Sequence, residues 1–142
     1  MTAEDVKYSF EQLISKQAAP QFRTLYAEVA GVTVLDPRTV RFDFKRVNPE
    51  LPLIVGGMPV FSRQWGLENG HPKPFDKIVT DLPIGSGPYK IGRVVFGRDV
   101  SYERDNNYWA RDLSVRKGLF NFDRITYCLY KDNTAQVEGF KA

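Results

Sequence analysis

The sequence predicts an α+β fold, a small antiparallel sheet built from hairpins and packed with short helices. Three observations carry that expectation. VTVLDPRTVRFDFKR (32–46) and GPYKIGRVVFGRDVSYERD (87–105) each alternate apolar and polar residues on both sides of a turn, the two-residue period of half-buried strand pairs. TAEDVKYSFEQLISKQ (2–17) instead repeats its apolar residues every three or four positions, the period of a helix face. Hairpins and helices do not alternate as strand–helix units, so a parallel sheet is not expected. The chain has 142 residues, 42% of them apolar and 26% charged. At that length a folded chain buries about 68–70% of its unfolded surface, enough for a core without metals or disulfides.

The elements follow in order. Thr2 is placed to cap the first helix, with Asp5 three residues on reaching back as in a capping box. Val6, Phe10, Leu13 and Ile14 then share one face. Pro20 interrupts, and QFRTLYAEVA (21–30) predicts a second helical piece ended by Gly31. In the first hairpin the turn is Asp36-Pro37-Arg38, because proline presets its φ and aspartate bonds the backbone ahead of it. Val40, Phe42 and Phe44 then face the core, and Arg41, Asp43 and Lys45 face water. Residues 49–55 predict a short helix stopped by Gly56-Gly57, Ser62 a cap for another through Asn69, and residues 70–83 an ordered loop. The second hairpin turns at Phe96-Gly97-Arg98-Asp99. NNYWARD (106–112) reads as one helical turn and LSVRKGLFNFD (113–123) as a loop. RITYCLYKD (124–132) is the last strand, and Asp132 or Asn133 caps a closing helix.

Charge and composition exclude several function classes. A net charge of +3 with interleaved signs, as in YERDNNYWARD, lacks the one-signed stripe of a nucleic-acid footprint. No run approaches the length of a membrane span, and Met1 is followed at once by polar residues rather than a signal peptide. The single cysteine, Cys128, cannot form an internal disulfide, and its apolar strand predicts a buried, inert thiol. His71, the only histidine, lies in a separate loop segment, so a zinc site of the usual type is not expected.

Three groups of residues are candidates for chemistry. In PIGSGPYK (83–90) a phosphate cradle would need a helix after the glycines, yet a strand follows and Pro88 removes a donor. Gly85 and Gly87 are therefore expected to admit positive φ where a loop enters a strand. Glu103, Asp105 and Asp112 lie among Arg104 and Arg111, a pattern of solvated ion pairs rather than of the split carboxylates of a glycosidase. Tyr102, Tyr108, Trp109, Phe120 and Phe122 suit either a stacking surface or a core, with the core preferred. The residues by themselves therefore describe an α+β domain with no visible catalytic apparatus.

Three stretches together carry a resemblance. TAEDVKYSFEQLIS resembles a helix of the extracellular solute-binding proteins of family 5, which serve peptide ABC transporters. VTVLDPRTVRFDFKR is similar to that family's hairpin. PIGSGPYKIGRVVFGRDVSYERDNNYW is similar to its GTGPY-to-YW signature, with Ser86 where threonine is usual. They occur in the family's order across essentially all 142 residues. The tail, YWARDLSVRKGLFNFDRITYCLYKD, resembles the Yej-type branch.

The resemblance implies an internal portion of a longer periplasmic protein, with Met1 a cloning start and the signal peptide outside the chain. It implies the inserted subdomain of a two-lobed periplasmic binding protein over residues 1–122, and over 123–142 a strand and helix start returning to the first lobe. The implied function is capture of oligopeptides or peptide-like compounds for an inner-membrane ABC permease, by a protein that is not an enzyme. No catalytic, cofactor-binding or metal residue is carried over from the family, and no cofactor, nucleic acid or membrane span is implied. Two other readings stay open: a self-contained protein-interaction domain using strand edges or the 66–83 loop, and a carbohydrate module built on Glu103, Asp105 and Trp109.

Overall fold

The computed structural model describes residues 1–78 and 81–141. The chain forms two compact units, Met1–Ile84 and Gly85–Ala142.

In the first unit, helix α1 spans Ala3–Ile14 with Thr2 as its cap, and the predicted capping box is present. The Asp5 carboxylate accepts the Thr2 backbone N–H at 2.7 Å. Phe10 and Leu13 are buried with Tyr26, Val29 and Met58, and Val6 and Phe42 pack against that cluster. Phe10 sits edge-on to Tyr26 at 6.1 Å and to Phe42 at 5.9 Å, the geometry that ring quadrupoles prefer. Ile14 departs from its expected place: it lies at the last helical position and is exposed. Tyr8, which the apolar stripe did not include, is buried in its stead.

Helix α2 is Pro20–Leu25, with proline at its first turn, where the missing N–H costs nothing. It ends six residues before Gly31, which instead lies within strand β1, Val29–Asp36. The helix stops early because Tyr26 and Val29 turn inward to the core rather than continuing it. Strand β2, Thr39–Phe44, returns antiparallel with Val34 opposite Val40 and Val32 opposite Phe42. The Arg38 N–H donates to Asp36 Oδ1 at 2.7 Å, closing the turn as expected. Phe42 and Phe44 are half-buried while Arg41 and Asp43 are exposed.

Helix α3 is Leu51–Gly56, two residues later than its expected start. The helix expected from Ser62 to Asn69 is absent. Ser62 Oγ accepts the Gln64 N–H in a local turn, and the chain runs into two short strands, β3 (Leu67–Glu68) and β4 (His71–Pro72). Asn69 and Gly70 link them with φ of 52° and 78°, the positive pair that a type I′ hairpin turn demands. A 3₁₀ turn, Phe75–Lys77, follows. Val79 and Thr80 of the expected 70–83 loop lie outside the described residues.

The second unit holds a three-stranded antiparallel sheet in the order β5 (Tyr89–Val95), β6 (Asp99–Arg104), β7 (Arg124–Cys128). Gly97 makes the β5–β6 turn at a φ of 73°. A register shift falls between Ile91 and Val94. There the buried Ser101 hydroxyl accepts the Arg93 N–H at 2.9 Å, satisfying a donor freed by the irregularity. The segment NNYWARD is a run of four-residue turns, Tyr108 N–H to the Asp105 carbonyl and Arg111 N–H to the Tyr108 carbonyl, and not a helical turn. β7 pairs along β6 from Asp99–Cys128 to Glu103–Arg124. Cys128 is exposed, against its expected burial. Helix α4, Asn133–Lys141, is opened by Asp132, which accepts the Ala135 N–H at 2.8 Å; the expected last residue of that helix, Ala142, lies outside the described residues.

Candidate functional site

The two ends of the GSGPY-to-YW signature meet in the second unit. The Trp109 indole N–H donates to the Ser86 carbonyl at 3.1 Å, and the Tyr89 hydroxyl donates to the Phe122 carbonyl at 2.9 Å. Tyr89 and Tyr108 both stand edge-on to Phe120, at 6.3 and 6.0 Å. The signature therefore ties the entry of β5 to the turns after β6. Its glycines act differently from expectation. Neither Gly85 nor Gly87 has positive φ, and a Cβ at either would meet nothing within 4 Å.

The carboxylates singled out in the sequence are each engaged by a cation. Glu103 pairs with Arg124 at 3.1 Å, its partner across the β6–β7 ladder. Asp112 pairs with its neighbour Arg111 at 3.3 Å. Asp105 takes Lys90 at 2.9 Å and the Asn107 N–H at 3.0 Å, and these hold its carboxyl below the usual range, the lysine contributing most. Among the described residues no group of three His, Cys, Asp or Glu side chains is placed to hold a metal ion. The aromatics divide. Tyr102, Tyr108 and Phe120 are half-buried, whereas Trp109 is 74% and Phe122 72% exposed, so the core expected of all five does not form here.

Between these turns lies a cavity of about 360 Å³, lined by Pro88, Tyr108, Phe120 and several cations, among them Arg116 and Lys117. Sequence reasoning missed those two because they sit in a stretch with no periodicity. The local signal was VRKG, two adjacent cations with no acid beside them.

The family profile of the bacterial extracellular solute-binding proteins, family 5 Middle, matches residues 1–142. The chain belongs to this family. It is 36% identical over its whole length to a protein of Agrobacterium fabrum described as a probable peptide-binding protein, YejA, and spans 24% of that protein. It is 35% identical, again over all of its length, to YejA of Escherichia coli strain K12, and spans 22% of it. The crystal structure of the ABC transporter substrate-binding protein CtaP of Listeria monocytogenes is similar over 99% of this chain and 28% of CtaP, with a TM-score of 0.71 and 26% identity. The Yej-type resemblance in the tail is thus matched by relatives along the entire chain, through both units. The chain spans about a quarter of the curated relatives it matches. Among the described residues no helix is long and apolar enough to cross a membrane.

Proposed function

We propose that this chain is part of a periplasmic substrate-binding protein that captures oligopeptides or peptide-like compounds for an ABC importer. The observation that carries the reading is the family match along every residue, joined to the identity with a relative described as peptide-binding. The substrate-binding name of CtaP, and its likeness in fold to both units of the chain, support the transport context. In such a protein, main-chain hydrogen bonds to an extended peptide supply affinity, loose pockets supply tolerance, and lobes close by a hinge. On this reading the chain's part is structural, within a family of binding proteins.

The division of the chain within the parent belongs to the same proposal. It sets an inserted subdomain of the first lobe over residues 1–122 and a strand and helix start returning to that lobe over 123–142. Uptake tests the reading. Cells whose gene lacks the segment encoding this chain are expected to lose import of radiolabelled tri- to hexapeptides and to recover it on complementation. Undiminished peptide import in those cells, with glycan or protein binding instead, would overturn it.

A further inference from the structure

Four cationic side chains, Arg104, Arg111, Arg116 and Lys117, line the cavity of the second unit. They are unequally occupied. Arg104 is held by the Asp123 carboxylate and reaches the Phe120 carbonyl at 3.5 Å. Arg111 gives Nε to Asp112 at 3.3 Å and Nη1 to the Asn106 carbonyl at 2.9 Å. Arg116 lies with its guanidinium carbon 5.9 Å from the Phe120 ring centroid, and neither it nor Lys117 pairs with a carboxylate among the described residues. Asp105, the acid in the lining, is taken by Lys90 at 2.9 Å. Two cations thus stand without a counter-charge beside the apolar faces of Pro88, Tyr108, Leu119 and Phe120.

One residue of the lining is held in an unusual backbone state. Phe120 has a φ of 59°, an outlier for a bulky side chain. Its ring is fixed edge-on by Tyr89 and Tyr108. Strain of this kind persists where neighbours over-determine it, and it gathers at ligand clamps. The volume, about 360 Å³, falls at the small end of the roughly 300–1,000 Å³ range of organic-ligand pockets.

We propose that this cavity binds a small organic anion, a carboxylate or phosphate joined to a flat apolar body. Arg116 and Lys117 take the acid group, the guanidinium through its planar fork and the ammonium as a point charge. The apolar body lies against Tyr108 and Phe120, where ring edges and faces reward a flat partner. All of these residues belong to the second unit, so the inference stands apart from the peptide reading and fails or survives separately from it.

Phenyl phosphate and benzoate are the probes, titrated into the whole 142-residue chain by calorimetry, beside inorganic phosphate and benzyl alcohol as the separate halves. At least one of the two aromatic anions is expected to saturate a single site, with each half at least about tenfold weaker. R116Q/K117Q is expected to weaken that binding at least about tenfold with an unchanged circular dichroism spectrum, since both removed contacts are charge-assisted. Raising the salt from about 50 to about 500 mM is expected to weaken it as well. Equal binding by the double variant overturns the proposal, as does an affinity for inorganic phosphate matching that of phenyl phosphate, which would mean an adventitious ion only. An acidic Asp/Glu hexapeptide binding more tightly than either aromatic anion would make the cavity a protein-docking surface instead.

Discussion

Asp5 completes the capping box of α1 and also reaches across to the chain near residue 63: its Oδ1 accepts the Arg63 N–H at 2.8 Å and its Oδ2 the Thr2 N–H at 2.7 Å. Burial pushes its carboxyl up, but the donors of Arg63 and Thr2 outweigh that, and its pKa lies below the ordinary 3.8. A carboxylate with a depressed native pKa adds stability that is whole above the unfolded value and is lost as pH falls through the native one. Acid unfolding should therefore show a loss beginning as pH drops below that ordinary value, and Asp5→Asn should flatten it. At neutral pH Asp5→Ala leaves two backbone donors without their partner and is expected to cost about 2–3 kcal/mol in urea denaturation. The glycines make a second residue-scale contrast. Gly66 has a φ of 72°, and a Cβ there would meet Ile78 Cγ2 at 2.0 Å, so Gly66→Ala should cost roughly 2–3 kcal/mol. Gly85→Ala and Gly87→Ala, with open space and no positive φ, should each stay within about 0.5 kcal/mol. Comparable losses at all three positions would contradict the account.

At the scale of elements, α1 and the first hairpin depend on each other through Phe10, which is 4% exposed and touches Tyr26 and Phe42. Phe10→Ala should cost about 3–5 kcal/mol, read as a lowered urea midpoint. These elements were legible in the sequence because each carries its own local code: a cap, a period of 3.6 or of two, and a turn whose aspartate bonds the chain ahead. What was not legible depends on tertiary partners. Ser9 is buried because its hydroxyl donates to the Asp5 carbonyl at 2.7 Å and accepts the Phe61 N–H at 2.7 Å, a pairing that no local pattern around Ser9 announces. The expected helix from Ser62 failed for a nearer reason: Asn69-Gly70 is a hairpin signal, and it outranks a lone serine cap. The cavity was illegible because its cations come from the end of β6 and from two separate turns, which only the folded backbone brings together.

At the scale of the molecule, the fold class was legible from alternation and helical period, whereas the family rested on the order of three motifs spread over both units. The exposure of Trp109, Phe122 and Phe140, the last at 91%, is unusual for large aromatics. On the proposed reading those side chains suit further polypeptide packing, in keeping with relatives of which this chain spans about a quarter. On that reading the chain alone is expected to show helix and sheet by circular dichroism and yet to lack a peptide site, because the proposed capture takes two lobes that close. One measurement tests that most directly: calorimetric titration of a defined tri- to hexapeptide set into the 142-residue chain and, side by side, into a polypeptide of the relatives' length that carries it. The expected result is saturable micromolar binding by the longer polypeptide and none by the chain alone. Equal binding by both, or no peptide binding by the longer one, would contradict it.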